Sequence, residues 1–355
     1  MAFWNRKIIN LEDEYVGIEL GDSSVKIFEL EKNGNLDRIR SFSSKIIPAG
    51  CVKDGKILEK EKVARIIKEA FEQSGPKKIK TKKVVCSVPE SKVFLRIISI
   101  PKVSEEEAAE AVKWEIESSI PLAVDQVYYD WQFLGIAGGK QNVLTVAVVK
   151  DVADQRLEVL KLAGLSVYGL EMESIAETRS LIPRNASPEQ IFLIVDIGEE
   201  KTSFIISEGS VPYFTSSIPF SSAGLTDVIS KATSSSMEDA EKIKATQGIE
   251  HSFENNSIFK SVQPLLENLS VEIEKTIDFY QNISQQPGEI GRIIISGGGA
   301  GLKGLLPYLT TRLEKEVVLG DPWINLNLGK NLPPISKEDS LRFATVIGLA
   351  MRRPD

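Results

Sequence analysis

Two glycine-turn hairpins, 177 residues apart, constrain this chain more than any other feature. The first reads Tyr15-Val-Gly-Ile-Glu-Leu-Gly-Asp-Ser-Ser-Val-Lys-Ile-Phe-Glu-Leu30, and the second Ile194-Val-Asp-Ile-Gly-Glu-Glu-Lys-Thr-Ser-Phe-Ile-Ile206. In each, a β-run ends in acid-apolar-glycine, a polar turn follows, and a second β-run returns. A third segment, Ile293-Ile-Ile-Ser-Gly-Gly-Gly-Ala-Gly-Leu-Lys-Gly304, reads as a buried strand opening through glycines into a helix. Any one of these alone is an ordinary turn. All three in this order point to a duplicated α/β fold whose halves close on a phosphate-bearing ligand.

The residue types fit that chemistry. Glycine lets backbone N–H groups approach phosphate oxygens, and Ser23, Ser24 and Thr202 add hydroxyl donors. Glu19 and Asp196 stand where each first strand ends, suited to a Mg²⁺ that keeps several of its waters. Gly297, Gly298 and Gly299 allow backbone to lie against a sugar or base, with a helix N-terminus beyond them. The loop is neither a Walker A motif nor a dinucleotide fingerprint.

Composition excludes several function classes. The 355 residues are 42% hydrophobic and 26% charged, as in a globular protein of two or more domains. A net charge of −7 argues against global nucleic-acid binding; Lys77-Lys78-Ile-Lys80-Thr-Lys82-Lys83 is one local basic run, read as a solvated loop before a strand. Cys51 and Cys86 have no metal-binding spacing and read as small packing residues in a reducing compartment. His251, the single histidine, lies in a polar stretch and reads as surface. No apolar run approaches the ~18 residues of a membrane helix. The Phe3-Trp4-Asn-Arg-Lys7 start is too short and polar for a signal peptide.

Periodicity fills in the order. Strands are expected at 15–20, 25–31 and 36–47, and a helix over Glu59–Gln73 stopped by Gly75-Pro76. Ser104-Glu-Glu-Glu107 is a capping box opening a helix to about Ser118. Its apolar stripe is Ala108, Ala111, Val112 and Ile116, with Trp114 off the stripe. The second half repeats the opening, with strands at 191–197, 202–207 and 211–218. A long helix spans Pro264–Ser284, and a last one spans Leu341–Arg352.

The hairpins and glycine loop resemble the phosphate-1, phosphate-2 and adenosine motifs of the actin/Hsp70/sugar-kinase superfamily. Val88-Pro-Glu-Ser, Phe94-Leu-Arg, Ile100-Pro-Lys-Val-Ser-Glu-Glu-Glu, Val112-Lys-Trp-Glu-Ile-Glu, Ile120-Pro-Leu and Val127-Tyr-Tyr-Asp-Trp resemble the PilM family of type IV pilus assembly. So do Leu170-Glu-Met-Glu-Ser-Ile-Ala-Glu-Thr-Arg179, Ser217-Ile-Pro219 and Ala344-Thr-Val-Ile-Gly-Leu-Ala350. The resemblance implies an actin-like (ribonuclease H-like) duplicated two-domain α/β fold. Residues 1–185 would form the first domain, with a small subdomain inserted at about 89–165, and 186–355 the second.

It further implies ATP and Mg²⁺ in the cleft. Gly21, Asp22, Ser23, Ser24 and Lys26 would form one phosphate loop; Gly198, Lys201 and Thr202 would form the other. Glu241 and Lys242 match the helix near ribose and adenine, with Lys244 the alternative if the register slips. Gly297, Gly298, Gly299, Ala300 and Lys303 would border the nucleoside. Glu19 and Asp196 would hold the metal, and Glu173 would orient water. The chain departs from the family in having Glu19 for Asp and Glu199-Glu200 after Gly198. Two carboxylates at about 4 Å from a phosphate would cost ~4 kcal/mol each unless they point away.

The family function implied is a cytoplasmic scaffold, recruited to the inner membrane, that binds the short N-terminal tail of the membrane protein PilN and hydrolyses ATP slowly or not at all. An extended peptide in a groove is a physically reasonable mode. Trp114, Tyr128, Tyr129 and Trp131 are groove candidates, the ordinary alternative being burial in the core. Two other readings stay open on this fold: a sugar- or acetate-kinase type phosphotransferase, and an FtsA-like membrane-tethered filament protein.

Overall fold

The computed structural model describes residues 15–33, 36–120, 122–137, 139–249, 257–284, 288–330 and 333–352. His251 and the Phe3-Trp4 start lie outside those residues. The chain opens with β1 (Val16–Leu20), β2 (Ser24–Asn33) and β3 (Leu36–Ile46), then a two-stranded hairpin of β4 (Val52–Lys53) and β5 (Lys56–Ile57). Helix α1 (Lys60–Glu72), β6 (Gly75–Pro76) and β7 (Lys83–Val88) follow. Val63, Ala64, Ile67 and Ala70, at helical spacing, bury one face of α1 against this sheet.

A smaller unit is inserted after β7. A single 3-10 turn, Glu90–Lys92, leads into β8 (Val93–Pro101), α2 (Glu105–Ser119), β9 (Val127–Ala137) and β10 (Lys140–Val149). The strand order is β8-β10-β9, all antiparallel. The predicted capping box forms at the start of α2: the Glu107 amide donates to Ser104 Oγ at 3.3 Å, and Glu107 Oε2 accepts the Ser104 amide at 3.0 Å. Ala108, Val112 and Ile116 bury against Ile98, Ile100 and Val143. The chain then returns through α3 (Lys150–Leu162), β11 (Ser166–Met172) and α4 (Glu173–Leu181).

The second half contains β12 (Ile191–Ile197), β13 (Thr202–Glu208), β14 (Val211–Ile218), α5 (Ser222–Thr233), α6 (Met237–Thr246) and α7 (Ser257–Ile283). It continues with β15 (Ile290–Ser296), α8 (Leu305–Leu313) and β16 (Val317–Leu319), and closes with α9 (Lys337–Ser340) and α10 (Ala344–Ala350). Helix α7 begins earlier than periodicity implied, because Pro264 sits inside it rather than at its start.

The duplication is explicit in the sheets. The first orders its strands β11-β7-β1-β2-β3-β6 and the second β16-β15-β12-β13-β14. In both, the first strand runs antiparallel to its hairpin mate and parallel to the next strand over, β7 or β15. Strand β12 is buried on both faces at six of its seven positions, which is why Ile191-Phe-Leu-Ile-Val reads as one apolar run. Each fully buried aliphatic side chain there contributes about 1.5–3 kcal/mol.

The boundary at residue 185 does not separate two self-contained halves. Trp323 packs against Phe28 in a tilted arrangement with ring centroids 6.1 Å apart, and Phe343, Val346, Ile347 and Met351 bury in the same cluster as Phe28. Asp37 and Asn327 exchange hydrogen bonds of 2.8 and 2.9 Å. Residues from Trp323 to Met351 therefore pack on the first sheet.

Candidate functional site

The parallel strands of both sheets end at one junction, where Glu19, Asp196 and Glu173 feel one another's charge; open α/β sheets put their ligands at such strand ends. β1 ends at Leu20, β7 at Val88 and β11 at Met172 in one half; β12 ends at Ile197 and β15 at Ser296 in the other. The two glycine turns are the same turn made twice. The Gly21 amide donates to the Ser24 carbonyl at 3.0 Å, and the Gly198 amide to the Lys201 carbonyl at 2.9 Å.

Acids line this junction. Glu19 Oε1 accepts Lys26 Nζ at 2.5 Å, while its buried Oε2 has no partner among the described residues. Asp196 is pushed up to about 7 by burial and then by the charge of Glu19, against the pull of Lys26 and Lys201. Glu173, first residue of α4, is raised by burial, with Lys201 opposing and Glu19 adding. Its Oε2 accepts the Glu90 amide at 3.2 Å. Glu90 is raised to about 7, chiefly by burial, with the Thr215 and Ser174 hydroxyls opposing and the charge of Glu173 adding. Glu177, one turn along α4, accepts Thr345 Oγ1 at 2.8 Å and is raised well above the usual range by burial and then by Asp196. Carboxyls drawn together with too few cations are a setting in which a divalent cation, or protons, restores balance. Among the described residues, no three His, Cys, Asp or Glu side chains are gathered closely enough to hold a metal alone. The donor set therefore suits Mg²⁺ held through water beside a phosphate.

The other predicted residues divide by what their side chains already do. Asp22 Oδ1 accepts the Gly55 amide at 2.9 Å. Ser23, Ser24, Lys26 and Lys201 are half-buried at the turns. Thr202 is fully buried and its hydroxyl donates to the Phe220 carbonyl at 2.9 Å, so it fixes the entry to α5. The carbonyls of Gly198 and Glu199 accept the Ser222 and Ala223 amides at 2.9 and 3.1 Å, joining the second turn to the start of α5. Glu199 and Glu200 are exposed.

On α6, Lys244 rather than Lys242 pairs inward with Glu241. Lys242 is exposed and bonds Glu238 at 3.0 Å on its own helix. Lys244 is 1% exposed and donates to Ser222 Oγ at 2.7 Å, Thr226 Oγ1 at 2.9 Å and Glu241 at 2.7 Å. Three-residue spacing puts Glu241 and Lys244 on one face, while Lys242 points a hundred degrees or so away.

The glycine loop also divides. At Gly297, where φ is +81°, a Cβ would lie 2.4 Å from the Ile197 carbonyl oxygen, and at Gly299 it would lie 2.1 Å from Ile197 Cγ2. Both glycines are required by packing on the end of β12. A Cβ at Gly298 meets nothing within 4 Å, and Gly298 is the exposed member of the three. Ala300 is buried, and Lys303 is exposed, its backbone bonded to Lys244 and Ile249.

Residue patterns did not reveal Glu90, Glu177 and Arg156. Arg156 on α3 is fully buried and donates to the carbonyls of Ser87 at 3.1 Å and Gly55 at 2.9 Å. An arginine on an otherwise amphipathic helix carries no local mark of such a role. Of the aromatics expected to be groove candidates, Trp114 is 71% exposed, and Tyr128 and Tyr129 are 47% and 38% exposed. Trp131 is partly buried against Phe133, ring centroids 4.9 Å apart.

Two duplicated sheets meeting at a cleft of paired glycine turns, with a small subdomain inserted in the first, define an actin-like fold. Solved structures agree. The chain is similar to a PilM-PilN type IV pilus biogenesis complex, at 28% identity over 96% of this chain and 98% of that one, with a TM-score of 0.80. It is also similar to the ethanolamine utilization protein EutJ from Carboxydothermus hydrogenoformans, at 18% identity over 95% and 89%, TM-score 0.56. MreB 5 of Spiroplasma citri bound to AMPPNP is 15% identical over 94% of each chain, TM-score 0.51. The family model of the type IV pilus assembly protein PilM matches residues 17–354, and the chain belongs to that family.

Proposed function

We propose that this chain is a nucleotide-binding scaffold of type IV pilus assembly that holds the N-terminal cytoplasmic tail of the inner-membrane protein PilN. Membership of the PilM family across residues 17–354 supports the assembly role, and the likeness to the PilM-PilN complex supports the partner. The observation that carries the nucleotide reading is the pair of identical glycine turns with Glu19 and Asp196 at the strand ends. The scaffold works at the cytoplasmic face of the inner membrane, recruited by its partner.

In this reading, the amides inside the two turns, beyond those of Gly21 and Gly198 that close them, face ATP phosphates, and Lys26 and Lys201 offset their charge. Mg²⁺, when bound, neutralises phosphate charge; Glu19 and Asp196 hold its waters. Glu173 orients a water, and Gly298 lies against the nucleoside. Glu173 already accepts the Glu90 amide through Oε2 and is raised by burial, so it is a weak base for water and turnover by the free protein is slow, below roughly one per second. Trp114, Tyr128 and Tyr129 offer apolar surface to the peptide.

Calorimetric titration with Mg-ATP tests the cleft. Asp196→Ala weakens binding without unfolding the protein; unchanged affinity removes Asp196 from the site. ATP binding without any peptide binding would turn the reading toward phosphotransfer.

A further inference from the structure

The basic run at Lys77–Lys83 is a built surface. The preceding β6 pairs Gly75 and Pro76 with Phe42 and Ser41 of β3. The Lys77 amide donates to the Arg40 carbonyl at 3.2 Å, Ile79 packs into the first domain's core, and the Ser166 amide donates to the Lys82 carbonyl at 2.8 Å. Strand β7 takes over at Lys83. The backbone is thus tied down at both ends of the run, and all five lysines are exposed.

The charge is only partly answered. Glu31 bonds Lys77 at 3.2 Å and Arg40 at 3.1 Å, and Glu29 lies 3.3 Å from Arg40. Among the described residues, Lys78, Lys80 and Lys82 make no ion pair, on a chain whose net charge is −7. Holding like charges together on an ordered segment gives up entropy and adds repulsion, which an oppositely charged surface reverses.

We infer that this edge docks on an anionic lipid surface. The run contains no arginine and no aromatic residue, so it lacks the guanidinium forks and stacking rings that nucleic-acid sites use. Lysines act as point charges toward a diffuse negative potential, which is what a leaflet of acidic headgroups presents. The patch also stands at the start of β7, whereas the cleft lies at its other end, roughly 20 Å away along six residues of strand. A planar membrane can therefore meet the lysines without covering the strand-end acids, and the acidic neighbours Glu29 and Glu31 are already answered by Arg40 and Lys77. This contact is separate from the scaffold reading and needs no protein partner.

Co-sedimentation of the full chain with phosphatidylglycerol vesicles and with phosphatidylcholine vesicles tests it. The protein partitions onto phosphatidylglycerol alone, and raised salt releases it. Each lysine near such a surface contributes about fivefold, so the triple variant Lys78→Gln, Lys80→Gln, Lys82→Gln partitions roughly a hundredfold less, with an unchanged melting midpoint. Three outcomes overturn the inference: no partition of the wild type, equal partition of wild type and variant, or lysine-dependent binding to duplex DNA with none to vesicles.

Discussion

The Asp22 carboxylate in the first glycine turn accepts the Gly55 amide at 2.9 Å and so ties that turn to the β4–β5 hairpin. The Gly55 carbonyl accepts Arg156 Nη1 at 2.9 Å, and Arg156 Nε reaches the Ser87 carbonyl at 3.1 Å. Ser87 Oγ in turn accepts the Leu20 amide at 3.2 Å, just before the turn. The circuit passes beside both joints of the small subdomain, since β7 ends one residue after Ser87 and α3 follows β10 directly.

Arg156→Met leaves the Gly55 and Ser87 carbonyls without their buried donor. It is expected to destabilise the protein by about 3 kcal/mol, read by denaturant unfolding. Asp22→Asn keeps an acceptor for Gly55 and is expected to cost under about 1 kcal/mol. Equal effects from the two would mean that Arg156 does not organise the circuit.

Adjacent glycines of one loop have opposite expectations. Gly299→Ala drives a methyl into Ile197 and is expected to cost at least 2 kcal/mol, visible as a lowered melting midpoint. Gly298→Ala meets open space and leaves the midpoint unchanged, so any loss in nucleotide titration reports on the ligand face. A destabilised Gly298→Ala would place that residue in the packing instead.

Glu90 gives stability a pH dependence of known sign. Its carboxyl is raised from 4.5 to about 7 in the fold, chiefly by burial, so the folded state holds a proton that the unfolded state has released. Its contribution is full below pH 4.5 and is lost as pH rises through about 7, amounting to ~3 kcal/mol. Glu90→Gln removes that decline from the pH profile of unfolding free energy and stabilises the protein at pH 8. A profile identical to wild type would show that Glu90 is ionised in the fold.

Much of this was legible because it is local. The Gly21 and Gly198 turns, the Ser104–Glu107 capping box and the hairpin strands flanking each turn follow from neighbouring residues. The positions of Glu19 and Asp196 at the ends of β1 and β12 were legible for the same reason. Glu90, Glu177 and Arg156 matter through contacts 83, 168 and 69 residues away in sequence, which no local pattern records. The return of Trp323 and Phe343 to the first sheet is equally long-range. The Gly297–Gly299 loop was expected to lie against a nucleoside, but two of its three glycines answer to Ile197 instead, a contact about 100 residues away in sequence. Trp114 lies off its helix stripe, as its spacing implied, and the fold leaves it exposed.

The α6 register makes a paired prediction. Lys244→Met strips Ser222, Thr226 and Glu241 of their shared cation and is expected to cost about 2–3 kcal/mol. Lys242→Ala changes stability by under about 0.5 kcal/mol. Comparable melting midpoints for the two variants would contradict this assignment.

The most direct test of the scaffold account is a calorimetric titration of the full chain with the N-terminal cytoplasmic peptide of PilN, with and without saturating Mg-ATP. The account predicts micromolar binding of one peptide per chain, and the ratio of the two affinities gives the coupling free energy between cleft and groove. No peptide binding in either condition would contradict it.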